Sequence, residues 1–217
     1  GMTAFLFAVR AGHLDAAKAL LAAGAPVNEL MADGTSALHL AVINGRYDMA
    51  ALLLDHGADP NAHAVGWTPL HQLVWTRRPN LGRNPPYPPP TGNTLTDVEL
   101  VKRMLAKGAS INARQEKEPT DGNRNVLFRR GATPYLLAAK AADAEFMRAL
   151  AALGADTLAS TDGGATPLMV AAGLGIYQVG ENPGTSEEAV EATRAAWDLG
   201  DHRLDAVDDR GDTALHG

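Results

Sequence analysis

The chain has 217 residues, no cysteine, 20% charged residues and a formal net charge of −6. The missing cysteines exclude a disulfide framework, a thiolate zinc site and a cysteine nucleophile, and the mild acidity argues against nonspecific nucleic-acid binding, which needs a basic stripe. No apolar run reaches the length of a membrane span, and the first residues do not read as a signal peptide.

In chain order the sequence repeats itself. Thr3-Ala4-Phe5-Leu6 is followed 21 residues after Thr3 by Gly24-Ala25-Pro26-Val27-Asn28. Ser36-Ala37-Leu38-His39 leads at the same spacing to Gly57-Ala58-Asp59-Pro60-Asn61, and Thr133-Pro134-Tyr135-Leu136 leads to Gly154-Ala155-Asp156. From Gly24 to Ser36 and from Gly154 to Thr166 there are 12, so the period is 33. Thr68-Pro69-Leu70-His71, Thr166-Pro167-Leu168-Met169 and Thr213-Ala214-Leu215-His216 carry the same opening, and Gly108-Ala109-Ser110-Ile111-Asn112 the same close.

Each unit predicts a pair of helices. Thr or Ser accepts a bond from a free helix amide and Pro suits the first turn. A short helix follows, then a break such as Gly45, then a second helix such as Tyr47 to Leu54. Gly57 suits the left-handed position that ends it. One such pair cannot bury its own apolar face, so stacked copies must share a core.

These residues resemble the ankyrin repeat. The family's hallmark is matched by Thr68-Pro69-Leu70-His71, by Asp33-Gly34 with Ala37-Leu38-His39-Leu40-Ala41, and by Leu52-Leu53-Leu54-Asp55-His56-Gly57-Ala58-Asp59-Pro60-Asn61. The resemblance implies an all-α solenoid of about five helix-turn-helix repeats plus the start of a sixth, read as one domain. The repeats fall at 1–33, 34–65, 66–113, 131–163 and 164–210, with 211–217 a truncated sixth. Neither end carries a polar capping repeat, so the chain reads as an excerpt of a longer solenoid. Its compact Gly-Ala-Asp style resembles bacterial ankyrin proteins.

Three insertions interrupt the period, at 77–94, 115–130 and 174–187. The first holds six of the 13 prolines and predicts extended, partly polyproline II backbone. Loops this long are functional or disordered in most folds, and Leu81, Tyr87, Val126, Leu127, Phe128, Ile176 and Tyr177 are apolar anchors that a floppy linker would lack. Ankyrin architecture implies that the second insertion lies on the concave, partner-facing side and the other two on the opposite edge. The second insertion either reshapes the groove or merely covers it.

No residue constellation points to catalysis. The histidines lack i, i+4 metal-ligand spacing. Asp205, Asp208, Asp209 and Asp212 lack the terminal glutamate of a calcium loop. Gly173-Leu174-Gly175 lacks the third glycine of a dinucleotide site. The sequence therefore predicts no enzyme, no cofactor and no metal.

What the resemblance implies instead is a noncatalytic scaffold for protein-protein interaction, binding through loop tips and the exposed side of the inner helices. Carried over repeat by repeat, the partner-binding positions are Met31, Ile43, Asn44, Val65, Trp67, Gln72, Trp75, Arg129, Arg130 and Lys140. Trp67 and Trp75 are the informative pair, because aromatic anchors dominate binding energy. The expected partner is a protein, with no nucleic acid or membrane, and the chain is expected to be a monomer. Two other readings stay open: a small-ligand or catalytic pocket near Trp75, Tyr87 and Arg130, and a structural spacer in a longer chain.

Overall fold

The computed structural model describes residues 1–78, 92–118, 127–176 and 183–216. Leu81, Tyr87, Val126 and Tyr177 lie outside the described residues. Those that are described form ten α-helices and a short 3₁₀ turn, Ala214–His216. They carry no strand beyond one isolated antiparallel bridge between Leu30 and Ser36.

The helices come in pairs: α1 (Ala4–Ala11) with α2 (Leu14–Ala22), α3 (Ala37–Ile43) with α4 (Tyr47–Asp55), α5 (Pro69–Arg77) with α6 (Asp97–Ala106), α7 (Pro134–Lys140) with α8 (Ala144–Ala152), and α9 (Pro167–Ala172) with α10 (Ser186–Asp198). The first helix of a pair begins at the expected residue. Thr3, Ser36, Thr133 and Thr166 each accept a bond from the amide three residues on, at 3.2–3.3 Å. The left-handed residue past each second helix is Gly24, Gly57, Gly108, Gly154 or Gly200, with φ from 88° to 105°. A side chain there would crowd the carbonyl that follows, so glycine ends these helices without strain.

Contacts gather the described residues into two compact units, one of 1–77 with 92–110 and the other of residue 78, 111–118, 127–176 and 183–216. Contacts in a repeat array run only between neighbours, so such grouping is natural. In the first unit the inner helices α1, α3 and α5 pack in series, with α2, α4 and α6 behind them. Leu6, Leu38, Met49, Leu53, Leu54, Leu70, Leu73, Leu100 and Met104 fill its core. In the second unit α7 packs on α9 and α8 on α10, around Tyr135, Leu136, Phe146, Met147, Leu150 and Met169.

Asparagine side chains tie successive repeats. Asn61 donates from Nδ2 to the Gly108 carbonyl at 2.8 Å and accepts from the Ser110 amide at 2.8 Å. Asn28 makes the same pair of bonds to Gly57 and Asp59, and Asn112 accepts from the Asp156 amide.

The insertions at 77–94 and 174–187 fall between the two helices of a pair, where the ordinary short turn would set the second helix's start. Here a local device replaces it. Thr96 with Glu99 and Thr185 with Glu188 form reciprocal capping boxes at the heads of α6 and α10. The end of the first insertion is fastened to the second repeat: the Asn93 amide oxygen accepts from the Tyr47 amide at 2.8 Å, and its nitrogen donates to the Gly45 carbonyl at 2.8 Å. In the second unit Arg78 donates to the Ala142 carbonyl at 2.7 Å and pairs with Glu188 at 2.6 Å.

Candidate partner-binding surface

The first unit holds the two indoles. Trp67 precedes the cap of α5 and Trp75 lies near its end, and the rings meet edge to face with centroids 5.2 Å apart and planes at 72°. Both are half-buried, so each keeps an accessible edge. The pair is held from both sides. The Trp67 indole N–H donates to the Gln72 amide oxygen at 3.2 Å, and the Trp67 carbonyl lies 2.9 Å from His39 Nε2.

That histidine is part of the scaffold. A carbonyl can only accept, so Nε2 carries the proton, and Nδ1 is left to accept from the Ser36 hydroxyl at 2.9 Å. Burial removes the solvation that the imidazolium would need. It pushes the His39 pKa down to about 4 despite the opposing bond to Trp67. His71 repeats the arrangement one repeat later, with the Thr68 hydroxyl 2.8 Å from its Nδ1.

Around the indoles, Met31, Ile43, Asn44 and Val65 are half-buried. Asn44 spends its amide on the Leu40 carbonyl at 2.8 Å, closing α3. Three of the sequence-predicted contact residues are not exposed. Gln72 is 2% exposed, with its amide shared between Trp67 and Thr76. Arg129 is 6% exposed, with its Nε 3.7 Å from the Glu118 carboxylate. Lys140 closes α7, a helix buried along its whole length. These three can support a surface but do not present one. Arg130 is exposed and pairs with Asp162 at 3.3 Å.

Apolar anchors of the second and third insertions come together in the second unit with aspartates that the sequence offered only as a poor calcium loop. Leu127, at the end of the second insertion, is buried against Gly175, where a Cβ would stand 2.6 Å from the Leu127 Cβ. Beside them lies a cleft of about 180 Å³ lined by residues that include Phe128, Ile176, Asp208, Asp209 and Asp212. Neither Trp75 nor Arg130 lines it. No group of three acidic or histidine side chains among the described residues is placed to hold a metal ion. No helix among them is long and apolar enough to cross a membrane.

Comparison with known proteins gives this geometry its family. Residues 1–64 match the family model described as ankyrin repeats in three copies. The chain is 28% identical over 199 residues, 88% of its length, to the nuclear factor NF-kappa-B p105 subunit of Gallus gallus. It is 28% identical over 123 residues, 56% of its length, to the putative ankyrin repeat protein FPV031 of fowlpox virus. Over 47 residues, 21% of its length, it is 53% identical to the potassium channel AKT1 of Oryza sativa subsp. indica. The chain spans only 17%, 31% and 5% of these relatives' own lengths. Ankyrin repeats are in general protein-protein interaction modules. With paired helices, Thr or Ser caps and asparagine ties recurring through both units, the chain is an ankyrin-repeat protein.

Proposed function

We propose that the chain is a noncatalytic scaffold that binds a protein partner through the Trp67–Trp75 surface of its first unit. Met31, Ile43, Asn44 and Val65 complete the contact, and Gln72 acts beneath it. Arg130 is the exposed contact of the second unit, supported by Arg129 and Lys140. The observation that carries the reading is the edge-to-face indole pair. Two half-exposed tryptophans offer a large amphipathic contact: Gln72 holds the Trp67 ring, His39 its backbone, and the Trp75 ring packs edge to face on it, so less conformational entropy is lost on binding. The net charge of −6 favours neutral or basic partner surfaces.

Affinity capture from an extract of the producing cell tests the reading, with Trp75→Ala beside the wild type and circular dichroism as the folding control. A protein retained by the wild type and lost by the folded variant is the expected result. Equal retention by both, or none by the wild type, overturns it.

A further inference from the structure

We propose that the cleft of the second unit is a docking site for a partner segment that presents a basic side chain next to an apolar one. The proposal rests on the protein-binding reading but concerns a different surface from the indole pair.

Size decides first what the cleft can take. Pockets for drug-sized ligands and cofactors run to about 300–1,000 Å³. At about 180 Å³ this one suits one or two side chains of a polypeptide. Its wall is apolar. Leu127 and Leu174 are buried behind it, while Phe128 is 55% and Ile176 40% exposed. Two large hydrophobic side chains left open at the same cleft are surface that a partner would cover.

The mouth is acidic. Asp208, Asp209 and Asp212 line it with Arg210 as the one cation among the lining residues. Asp208 is committed to its own loop, its Oδ1 accepting from the Arg210 and Asp212 amides at 2.9 Å each. The side chains of Asp209 and Asp212 make no ion pair among the described residues. Gly163 leaves the Asp209 carboxylate clear: a Cβ there would lie 3.2 Å from its Oδ2. The loop itself is fixed, with the Asp209 amide donating to the Gly163 carbonyl at 2.8 Å and the Asp208 amide to the Asp212 carbonyl at 3.0 Å. Two carboxylates with no ion pair among the described residues, on a fixed loop, select for a cation. The chain already shows the matching contact, because the Arg210 guanidinium carbon lies 4.8 Å from the centre of the Phe128 ring. A partner's Lys or Arg would meet the carboxylates, and its apolar neighbour would cover Ile176 and the open part of Phe128.

The test uses the whole chain and two pools of acetylated octapeptides, one with a central arginine flanked by apolar residues and one with glutamine in its place. Fluorescence anisotropy of the labelled pools should show retention of the arginine pool over the glutamine pool. The Asp209→Asn/Asp212→Asn variant and Phe128→Ala should each weaken that retention at least about tenfold. Equal retention of the two pools, no retention of either, or variants that bind as the wild type overturn the proposal. If a variant melts early, the arginine preference of the wild type decides alone. Trp75→Ala leaves the cleft untouched, so loss of cell-protein capture with the arginine preference intact counts against the indole surface only. Retained capture with no arginine preference counts against the cleft only.

Discussion

Leu127 fills the space that a side chain on residue 175 would need. A Cβ on Gly175 would lie 2.6 Å from the Leu127 Cβ and 2.9 Å from its amide nitrogen, and Gly175 itself sits at φ 85°. The end of the second insertion is thus seated on the start of the third. Gly175→Ala must both strain a left-handed backbone, at about 1–2 kcal/mol, and displace backbone rather than a flexible side chain, at about 1–3 kcal/mol. Urea unfolding should therefore show a loss of about 2–5 kcal/mol. Leu127→Ala in the same background should recover none of it, because alanine keeps the Cβ, Cα and amide nitrogen that the new methyl meets.

Protonation of His39 couples stability to pH. Its folded pKa is lowered from 6.5 to about 4, first by burial. The unfolded chain therefore takes up a proton near pH 6.5 that the folded chain refuses until near pH 4. Stability is complete above the unfolded value and is lost as pH falls between the two, by roughly 3 kcal/mol in all. Urea midpoints measured from pH 7 to pH 4 for the wild type and His39→Gln should converge as pH falls. The carboxylates that titrate in the same range are common to both chains and cancel.

The repeat was legible because its signals are local. A capping Thr or Ser, a helix-ending Gly and a fixed spacing each act within a turn of the residue that carries them, and Ser36 and Gly57 do in the structure what their positions predict, whereas the tie from Asn61 to the next repeat is a long-range contact that the spacing did not reveal. The candidate surface was legible only in part. Trp67 and Trp75 could be named, but that Gln72 would turn inward to hold Trp67 depends on a contact across the cap of α5 that spacing does not specify. Lys140 and Arg129 read as contacts because their repeat positions were carried over from the ankyrin resemblance, and a repeat position does not specify how deeply a long side chain packs. The acidic cleft was invisible for a different reason: Leu127, Ile176 and Asp209 are far apart in sequence and belong to two insertions and a repeat loop. The aspartates could be weighed only as a calcium loop, and Gly175 only as part of a dinucleotide motif.

Asn61 binds two backbone groups of the following repeat. Replacing it with alanine removes both bonds, each worth about 0.5–1.5 kcal/mol net, from a partly solvated site where water can substitute. Asn61→Ala should cost about 1–2 kcal/mol in urea unfolding. Asn61→Asp keeps the acceptor for the Ser110 amide but sets a carboxylate against the Gly108 carbonyl, so it should restore less than half of the loss.

Gln72 is the residue through which the indole surface can be altered without touching it. Gln72→Met keeps the length and apolar volume of the side chain but removes the oxygen that accepts from the Trp67 indole N–H. It also removes the amide that reaches the Thr76 hydroxyl at 3.5 Å, while that hydroxyl keeps its own bond to the residue 72 carbonyl at 3.0 Å. The cost should be about 1–2 kcal/mol, small enough for the chain to stay folded. Trp67 would then lose the hydrogen bond that orients its ring and sample other rotamers, so the coupled near-ultraviolet dichroism of the two indoles at 5.2 Å should weaken while the far-ultraviolet helix signal holds. Partner affinity through this surface should fall several-fold by loss of preorganisation alone. An unchanged near-ultraviolet spectrum would mean that packing against Trp75, rather than the bond to Gln72, fixes the ring.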